Sequence, residues 1–196
     1  MPTWSVDDWK VDIRKAQAAH IDAFALNMAA DDTNNTGTLN MAFRAADDLG
    51  FKLVFSFDYA GGGTWDKEVV LHYIDGYAQR PAYYYYNERA FMSTFEGWEN
   101  AEDWNWIKAR INVVFLPDWS SRGAKDAMTL GNGVADGLFS WAAWPWGNTD
   151  MNTYVDASYI EFLKGKLYMM PVSPWFYTNM PGFDGKNWLW RGDSLW

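Results

Sequence analysis

The sequence repeats one pattern along most of its length: a short, almost continuous apolar run is followed by a segment with helical spacing. Apolar runs without strict alternation are typical of parallel strands, which are buried on both faces. Such runs occur at residues 22–28, 52–59, 91–97, 113–119, 137–141 and 168–174. Because strands alternate with helices, the pattern predicts an α/β fold whose parallel strands are joined by right-handed crossovers.

The segments between these runs place apolar residues on one face of a helix. In the first segment, Trp9, Ile13 and Ala16 share such a face. The second segment ends at Gly50, and glycine is common just after the last helical residue. The predicted helices lie around residues 9–19, 39–49, 65–78, 104–111 and 154–163.

Polar or aromatic side chains stand at the C-terminal end of every predicted strand. They are Asn27, Ser56, Asp58, Tyr59, Glu96, Asp118, Trp119, Ser140, Trp141, Ser173 and Trp175. In a (β/α)8 TIM barrel the functional groups lie at these strand ends, whereas an open doubly wound sheet concentrates them beside a switch point in the strand order. The sequence therefore favours a barrel, and the lack of any linker predicts that residues 1–196 belong to one domain.

The charge and composition of the chain restrict its partners. Asp and Glu number 25 against 16 Lys and Arg, which gives a formal net charge of −9, and no basic stripe is present to bind nucleic acid. No apolar stretch approaches the roughly 18 residues of a membrane span, and the first residues do not resemble a signal peptide. With no Cys, and with His20 and His72 in separate helical segments, we expect no metal and no cofactor.

Three carboxylates, Asp58, Glu96 and Asp118, end neighbouring strands, and each stands beside an aromatic residue. Glycoside hydrolysis needs one protonated and one ionised carboxyl group across the scissile bond, so the arrangement suits that chemistry. The alternative is that these side chains cap the following helices or bind an arginine. The pattern indicates a polar mouth of the barrel without specifying a catalytic pair.

Aromatic residues are abundant, with 14 Trp, 11 Tyr and 12 Phe. They either fill the core or present flat apolar faces to sugar rings. The strongest local signal is the presence of Trp141, Trp144 and Trp146 within one short segment, since they cannot all face inward. We therefore expect some of these tryptophans to line a binding cleft.

Several ordered motifs resemble glycoside hydrolase family 71, the fungal α-1,3-glucanases, also called mutanases. They are Ile21-Asp22-Ala23-Phe24-Ala25-Leu26-Asn27, Gly50-Phe51-Lys52 through Phe57-Asp58-Tyr59, Ser93-Thr94-Phe95-Glu96-Gly97, Asp136-Gly137-Leu138-Phe139-Ser140-Trp141, Tyr168-Met169-Met170-Pro171-Val172-Ser173-Pro174-Trp175-Phe176-Tyr177 and Lys186-Asn187-Trp188-Leu189-Trp190-Arg191-Gly192-Asp193. Together they cover nearly the whole chain.

The resemblance implies an inverting α-1,3-glucan hydrolase that uses two carboxylates and a water, without metal or cofactor. It implies that strands two to seven of the barrel are present, that the first and eighth are missing, and that the acid/base pair lies beyond Trp196. By resemblance, Asp58, Glu96, Trp141, Trp175 and Trp190 line the substrate cleft. The strand-end and tryptophan patterns add Tyr59, Asp118, Trp119 and Trp144 to the predicted substrate-binding residues. One departure is Ala142, where the family usually has Asp. The family is usually secreted or associated with the cell wall, and no obligate protein partner is expected.

Two other functions remain open at this point. The chain could be a glucan-binding or degenerate family member without activity, as Ala142 and the missing strands suggest. It could also be a different glycosidase that uses Asp58 and Glu96 as its own pair. A barrel lacking two adjacent strands would expose sheet edges and apolar faces, so we expect the isolated chain to self-associate.

Overall fold

The computed structural model describes residues 4–145, 149–173, 175–179, 181 and 189–191. Residues 189–191 are described by their backbone alone. Its helices are α1 (Val6–Ala18), α2 (Asn35–Leu49), α3 (Lys67–Ala78), α4 (Ala101–Lys108), α5 (Gly123–Leu130) and α6 (Tyr154–Leu163). Its strands are β1 (Ala23–Ala29), β2 (Lys52–Asp58), β3 (Tyr85–Tyr86), β4 (Arg89–Phe95), β5 (Val113–Asp118), β6 (Gly137–Phe139), β7 (Leu167–Met169), β8 (Trp175–Tyr177) and β9 (Leu189–Arg191).

Local side chains determine where several helices begin and end. Ser5 and Asp8 form a reciprocal capping box at the start of α1. The Asp66 carboxylate caps α3 by accepting the N–H groups of Glu68 (2.8 Å) and Val69 (3.2 Å). Helix α2 ends at Gly50, whose left-handed φ of 65° is easy for glycine, as the sequence predicts.

The main sheet contains parallel strands in the order β1-β2-β4-β5-β6-β7, and the short strand β3 pairs antiparallel with β4. Every parallel strand before β7 is followed in sequence by a helix, which confirms the predicted α/β arrangement. In the described part of the chain, β1 and β7 are the two edges of this sheet. A groove of about 580 Å³, lined in part by Trp4, Trp9 and Phe24, lies along β1.

Alternate strand residues form two separate apolar clusters, one on each face of the sheet. Phe55, Met92 and Phe115 belong to the large cluster that includes the helices. The smaller cluster consists of Val54, Phe91, Val114 and Leu116, packed by side chains from both edge strands, Ala23 of β1 and Leu167 and Met169 of β7. Because both edges meet one inner cluster, the sheet is curved around an interior as in a barrel.

The structure also contains elements that the sequence analysis missed. Helix α5 was not predicted, because it is short and its buried residues, Ala124 and Ala127, are small and give no run of large apolar side chains. The hairpin β8–β9 pairs Phe176 with Trp190 and lies outside the parallel sheet. Strand β7 is shorter than predicted, and Pro174, the end of that prediction, lies outside the described residues.

Gly137 is required by the close approach of β6 and β7, since a Cβ at this position would overlap the carbonyl group of Leu167. We expect Gly137→Ala to lower the free energy of unfolding by about 1–3 kcal/mol, because the strand backbones would have to separate. Gly76→Ala is the matched control: Gly76 lies in α3 with nothing within 4 Å of the added carbon. It should gain up to about 1 kcal/mol of helix propensity. Urea unfolding measures both, and equal effects would contradict the explanation.

Candidate functional site

Asp58 stands at the carboxyl end of β2 and is held by the loop that follows it. Its Oδ1 accepts the N–H groups of Ala60 (2.8 Å) and Gly61 (2.7 Å). Its Oδ2 accepts the side-chain amide of Asn27 at the end of β1 (3.1 Å). The Oδ1 of Asn27 accepts in turn the hydroxyl group of Ser56 (3.0 Å). The partly exposed carboxylate therefore connects the ends of two neighbouring strands.

Glu96 follows β4 in an uncommon backbone conformation. Its φ is 54° and that of Gly97 is 85°, so two successive residues occupy the left-handed region. Such strain in a non-glycine residue occurs often at functional sites. The loop after β5 holds the side chain, because Ser121 donates its N–H to Oε1 (3.0 Å) and its hydroxyl to Oε2 (2.6 Å).

Asp118 ends β5 and is completely buried. Its Oδ1 accepts both the N–H (3.0 Å) and the hydroxyl group of Ser120, whereas its buried Oδ2 has no hydrogen-bond partner within the described structure. Burial raises the pKa of Asp118 to about 7; the hydrogen bonds from Ser120 oppose this rise, and the charge of Glu96 adds to it. In this structure Asp118, one of the predicted substrate-binding residues, has no exposed surface to offer a ligand.

Exposed aromatic rings stand beside these carboxylates. Trp141 is 46% exposed and meets Phe95 and Phe139 edge-on, with centroid distances of 5.1 and 5.8 Å. Trp144 is edge-on to Trp141 at 6.0 Å and stacks on Phe176 at 4.2 Å. We call Trp141, Trp144 and Phe176 the aromatic wall. Flat apolar rings beside hydrogen-bonding groups suit the binding of a sugar.

Comparison with known proteins identifies the family of the chain. The sequence matches the profile of glycosyl hydrolase family 71 over residues 1–196. The chain belongs to this family. The match confirms the resemblance inferred from the motifs.

Two curated relatives of this family 71 chain carry names that describe a glucanase. A mutanase of Penicillium rubens is 38% identical over 201 residues, and a glucan endo-1,3-α-glucosidase of Schizosaccharomyces pombe is 35% identical over 209. Each match covers 98% of this chain, but 43% of the first relative and 47% of the second. The chain thus spans less than half the length of these relatives.

Solved structures of lower identity share the fold. Two structures of the GH99 endo-α-mannosidase from Bacteroides thetaiotaomicron, one in complex with bis-tris-propane, have a TM-score of 0.71 with the family 71 chain. They are 15% and 16% identical to this chain. The matches cover 92% and 93% of this chain, and 61% and 59% of the two mannosidase chains. At that identity the likeness shows the fold alone, and it supports the barrel-like arrangement.

Two aromatic residues predicted to bind substrate lie in the core. Tyr59 is 8% exposed, with its ring against Gly97, and burial raises the pKa of its hydroxyl. Trp119 is 1% exposed and packs edge-on to Phe115 at 6.2 Å. Each follows a strand-end carboxylate, and successive side chains point to opposite faces of a sheet. As placed here, neither ring offers a face to a sugar.

The remaining predicted residues lie in the C-terminal part of the family 71 chain. Trp175 is 64% exposed in β8. Trp190 belongs to β9 by its backbone, but its side chain, like all of Trp146, is outside the described residues. Ala142 is partly buried and lines a cavity of about 240 Å³ beside Trp144.

The sequence analysis missed two serines that organise the site. Ser120 contacts Asp118 and Ser121 contacts Glu96, so one loop holds two of the three predicted carboxylates. The available sequence signal is the spacing of Asp118 and Ser120, because Asp commonly accepts a backbone N–H two residues ahead. No local pattern connects Ser121 to Glu96.

Two further observations concern the described residues. Their His, Asp and Glu side chains do not form any group of three that could hold a metal ion. None of their helices is long and apolar enough to cross a membrane.

Proposed function

We propose that this protein hydrolyses α-1,3-glucan by inversion and that the carboxyl edge of its sheet binds the glucan chain. The observation that carries the proposal is the similarity to a mutanase and to an endo-1,3-α-glucosidase along 98% of the chain. The site supports it, because a neutral polymer rich in hydroxyl groups would meet partly exposed carboxylates and the aromatic wall.

We assign substrate binding, not bond cleavage, to Asp58, Glu96, Trp141, Trp144 and Trp175, with Trp190 as a further predicted member. The oxygens of Asp58 and Glu96 already accept hydrogen bonds from the protein. An inverting reaction needs one carboxylic acid at the leaving oxygen and one carboxylate that activates a water. We therefore do not assign the catalytic acid or the catalytic base to any of the described residues.

The proposal is tested by incubating the purified protein with α-1,3-glucan, starch and β-1,3-glucan. We expect reducing sugar from α-1,3-glucan alone, with the β-anomer formed first, as inversion of an α-linkage requires. Initial α-anomer would contradict inversion, and no release from α-1,3-glucan would contradict hydrolysis. Binding without release would instead support a glucan-binding function without hydrolysis. The hydrogen bonds that Asp58 and Glu96 already accept from the protein also favour this alternative.

Trp141→Ala tests the proposed binding surface. We expect about tenfold weaker binding of α-1,3-linked gluco-oligosaccharides in calorimetry, because a half-exposed stacking face is lost. Trp106→Ala is the control, since Trp106 lies in α4 and its ring is covered by the Arg110 guanidinium at 3.7 Å. If the unchanged protein and Trp141→Ala bound these oligosaccharides with equal affinity, Trp141 would be excluded from the binding surface.

We also propose that the protein acts outside the plasma membrane. A further curated relative, 29% identical over 211 residues, is an ascus wall endo-1,3-α-glucanase of Schizosaccharomyces pombe. Asn34, in the sequon Asn34-Asn35-Thr36, is exposed and accessible to a glycan. Expression of the native gene product should yield extracellular protein, and its retention in the cytosol would exclude this location.

A further inference from the structure

The loop after β5 links three successive strand ends through the side chains of Ser120 and Ser121. The Ser120 hydroxyl donates to Asp118 Oδ1 and accepts the N–H of Trp141, just beyond β6, at 2.8 Å. Its oxygen also lies 3.5 Å from the hydroxyl group of Tyr159 in α6. The neighbouring Ser121 binds Glu96, just beyond β4. One short loop therefore connects β4, β5, β6 and α6.

We propose that Ser120 is a positioning residue, oriented by Asp118, that fixes the backbone of Trp141 so that its indole ring forms the sugar-binding wall. This inference rests on the proposed function for its ligand, α-1,3-glucan. It assigns to Asp118 and Ser120 a role in the site that requires no contact with the substrate.

The proton inventory of the hydroxyl group supports this role. A serine hydroxyl has one proton to donate and can accept two hydrogen bonds. Because the proton of Ser120 goes to Asp118, its oxygen is left to accept from Trp141 and Tyr159. The acceptor Asp118 is itself fixed, since it is completely buried and also accepts the N–H of Ser120.

The geometry of Trp141 explains why its backbone needs this support. Strand β6 ends at Phe139, so Trp141 lies outside the ladder of parallel strand hydrogen bonds. Its ring contacts Phe95, Phe139 and Trp144 in T-shaped arrangements and is 46% exposed. The hydrogen bond to Ser120 sets where the exposed ring stands relative to Glu96.

The first test needs no glucan. In Ser120→Ala, amide hydrogen exchange of Trp141, followed by NMR, should become on the order of fivefold faster, because its N–H loses its acceptor. Ser121→Ala is the matched control, since that neighbouring hydroxyl contacts Glu96 and should leave Trp141 exchange unchanged. Ser120→Thr keeps the hydroxyl group and should restore slow exchange. Unchanged exchange in a folded Ser120→Ala protein would overturn the proposal.

The second test measures binding of α-1,3-linked gluco-oligosaccharides. We expect Ser120→Ala to bind roughly three- to tenfold more weakly and to add no loss in a protein that already carries Trp141→Ala, because coupled residues are non-additive. Additive losses would overturn the role through Trp141. If the unchanged protein binds no glucan, the proposed function and the ligand part of this inference both fail, while hydrogen exchange still decides the positioning role.

Discussion

We expect the free energy of unfolding of the unchanged protein to fall by roughly 4 kcal/mol between pH 4 and pH 7, and we expect this fall to be absent in Asp118→Asn. The pKa of Asp118 is about 7 in the folded protein because its carboxyl group is buried, against an ordinary value of 3.8. Between these two values the folded state holds a proton that the unfolded state has released. The free energy of unfolding therefore falls as pH rises, by about 1.4 kcal/mol per pH unit.

The amide in Asp118→Asn cannot ionise, and its oxygen can still accept both hydrogen bonds from Ser120. Its NH2 group takes the place of the unpartnered Oδ2, which changes overall stability by an amount that does not depend on pH. The pH dependence from this position is removed. The measurement is urea unfolding of both proteins at intervals from pH 4 to pH 8. Their difference in free energy of unfolding should grow in favour of Asp118→Asn and level off above pH 7.

Asp136→Asn is the control for this experiment. Burial favours a higher pKa for Asp136, but the hydrogen bonds from Lys108, Phe115 and Arg89 outweigh burial, so its pKa is lowered. Its contribution to stability is therefore lost as pH falls below about 4. We expect this substitution to reduce overall stability without changing the slope from pH 4 to pH 7. A slope that is identical in the unchanged protein and in Asp118→Asn would contradict the assignment.

Trp104→Ala is expected to lower the free energy of unfolding by about 3–5 kcal/mol, since it leaves a large cavity in the core. Trp104 of α4 is completely buried and stacks on Phe115 of β5, with ring centroids 3.8 Å apart and planes 11° from parallel. The contact attaches the helix layer to the centre of the sheet. Urea unfolding of both proteins measures the loss, with the same slope of free energy against urea concentration applied to each.

Trp106→Ala is the matched control on the same helix. Trp106 is only partly buried, and cations cover its ring: Arg110 lies 3.7 Å and Lys67 5.5 Å from the centroid. We expect a loss of about 1 kcal/mol or less, because partly exposed cation–π contacts contribute little. Similar losses for the two tryptophans would show that burial against Phe115 is not what makes Trp104 important.

The fold was predictable wherever the local pattern of apolar residues was strong. Strands β2 and β5 are nearly continuous apolar runs, so their position and parallel pairing follow from the sequence. The C-terminal end of helix α2 could be predicted because its apolar face ends at Gly50. Helix α5 was not predicted, since its eight residues, Gly123–Leu130, bury only the small side chains of Ala124 and Ala127, and a helix this short gains its stability from tertiary packing.

The site was predictable in part. Asp58 and Glu96 were correctly placed at neighbouring strand ends, because the carboxyl ends of parallel strands share one edge of a sheet. Local patterns could not show that Tyr59 and Trp119, which were also predicted to bind substrate, are buried. The opposite orientation of successive side chains places both in the core.

The sequence by itself determined the alternation of the parallel strands with most of their helices, the family and the chemical character of the strand ends, because these properties depend on local patterns and ordered motifs. Only the tertiary structure decided that Asp118 is buried and that Ser120 joins it to Trp141. The physical reason is sequence distance: Ser120 and Trp141 lie 21 residues apart, and they meet only because β5 and β6 are neighbours in the sheet.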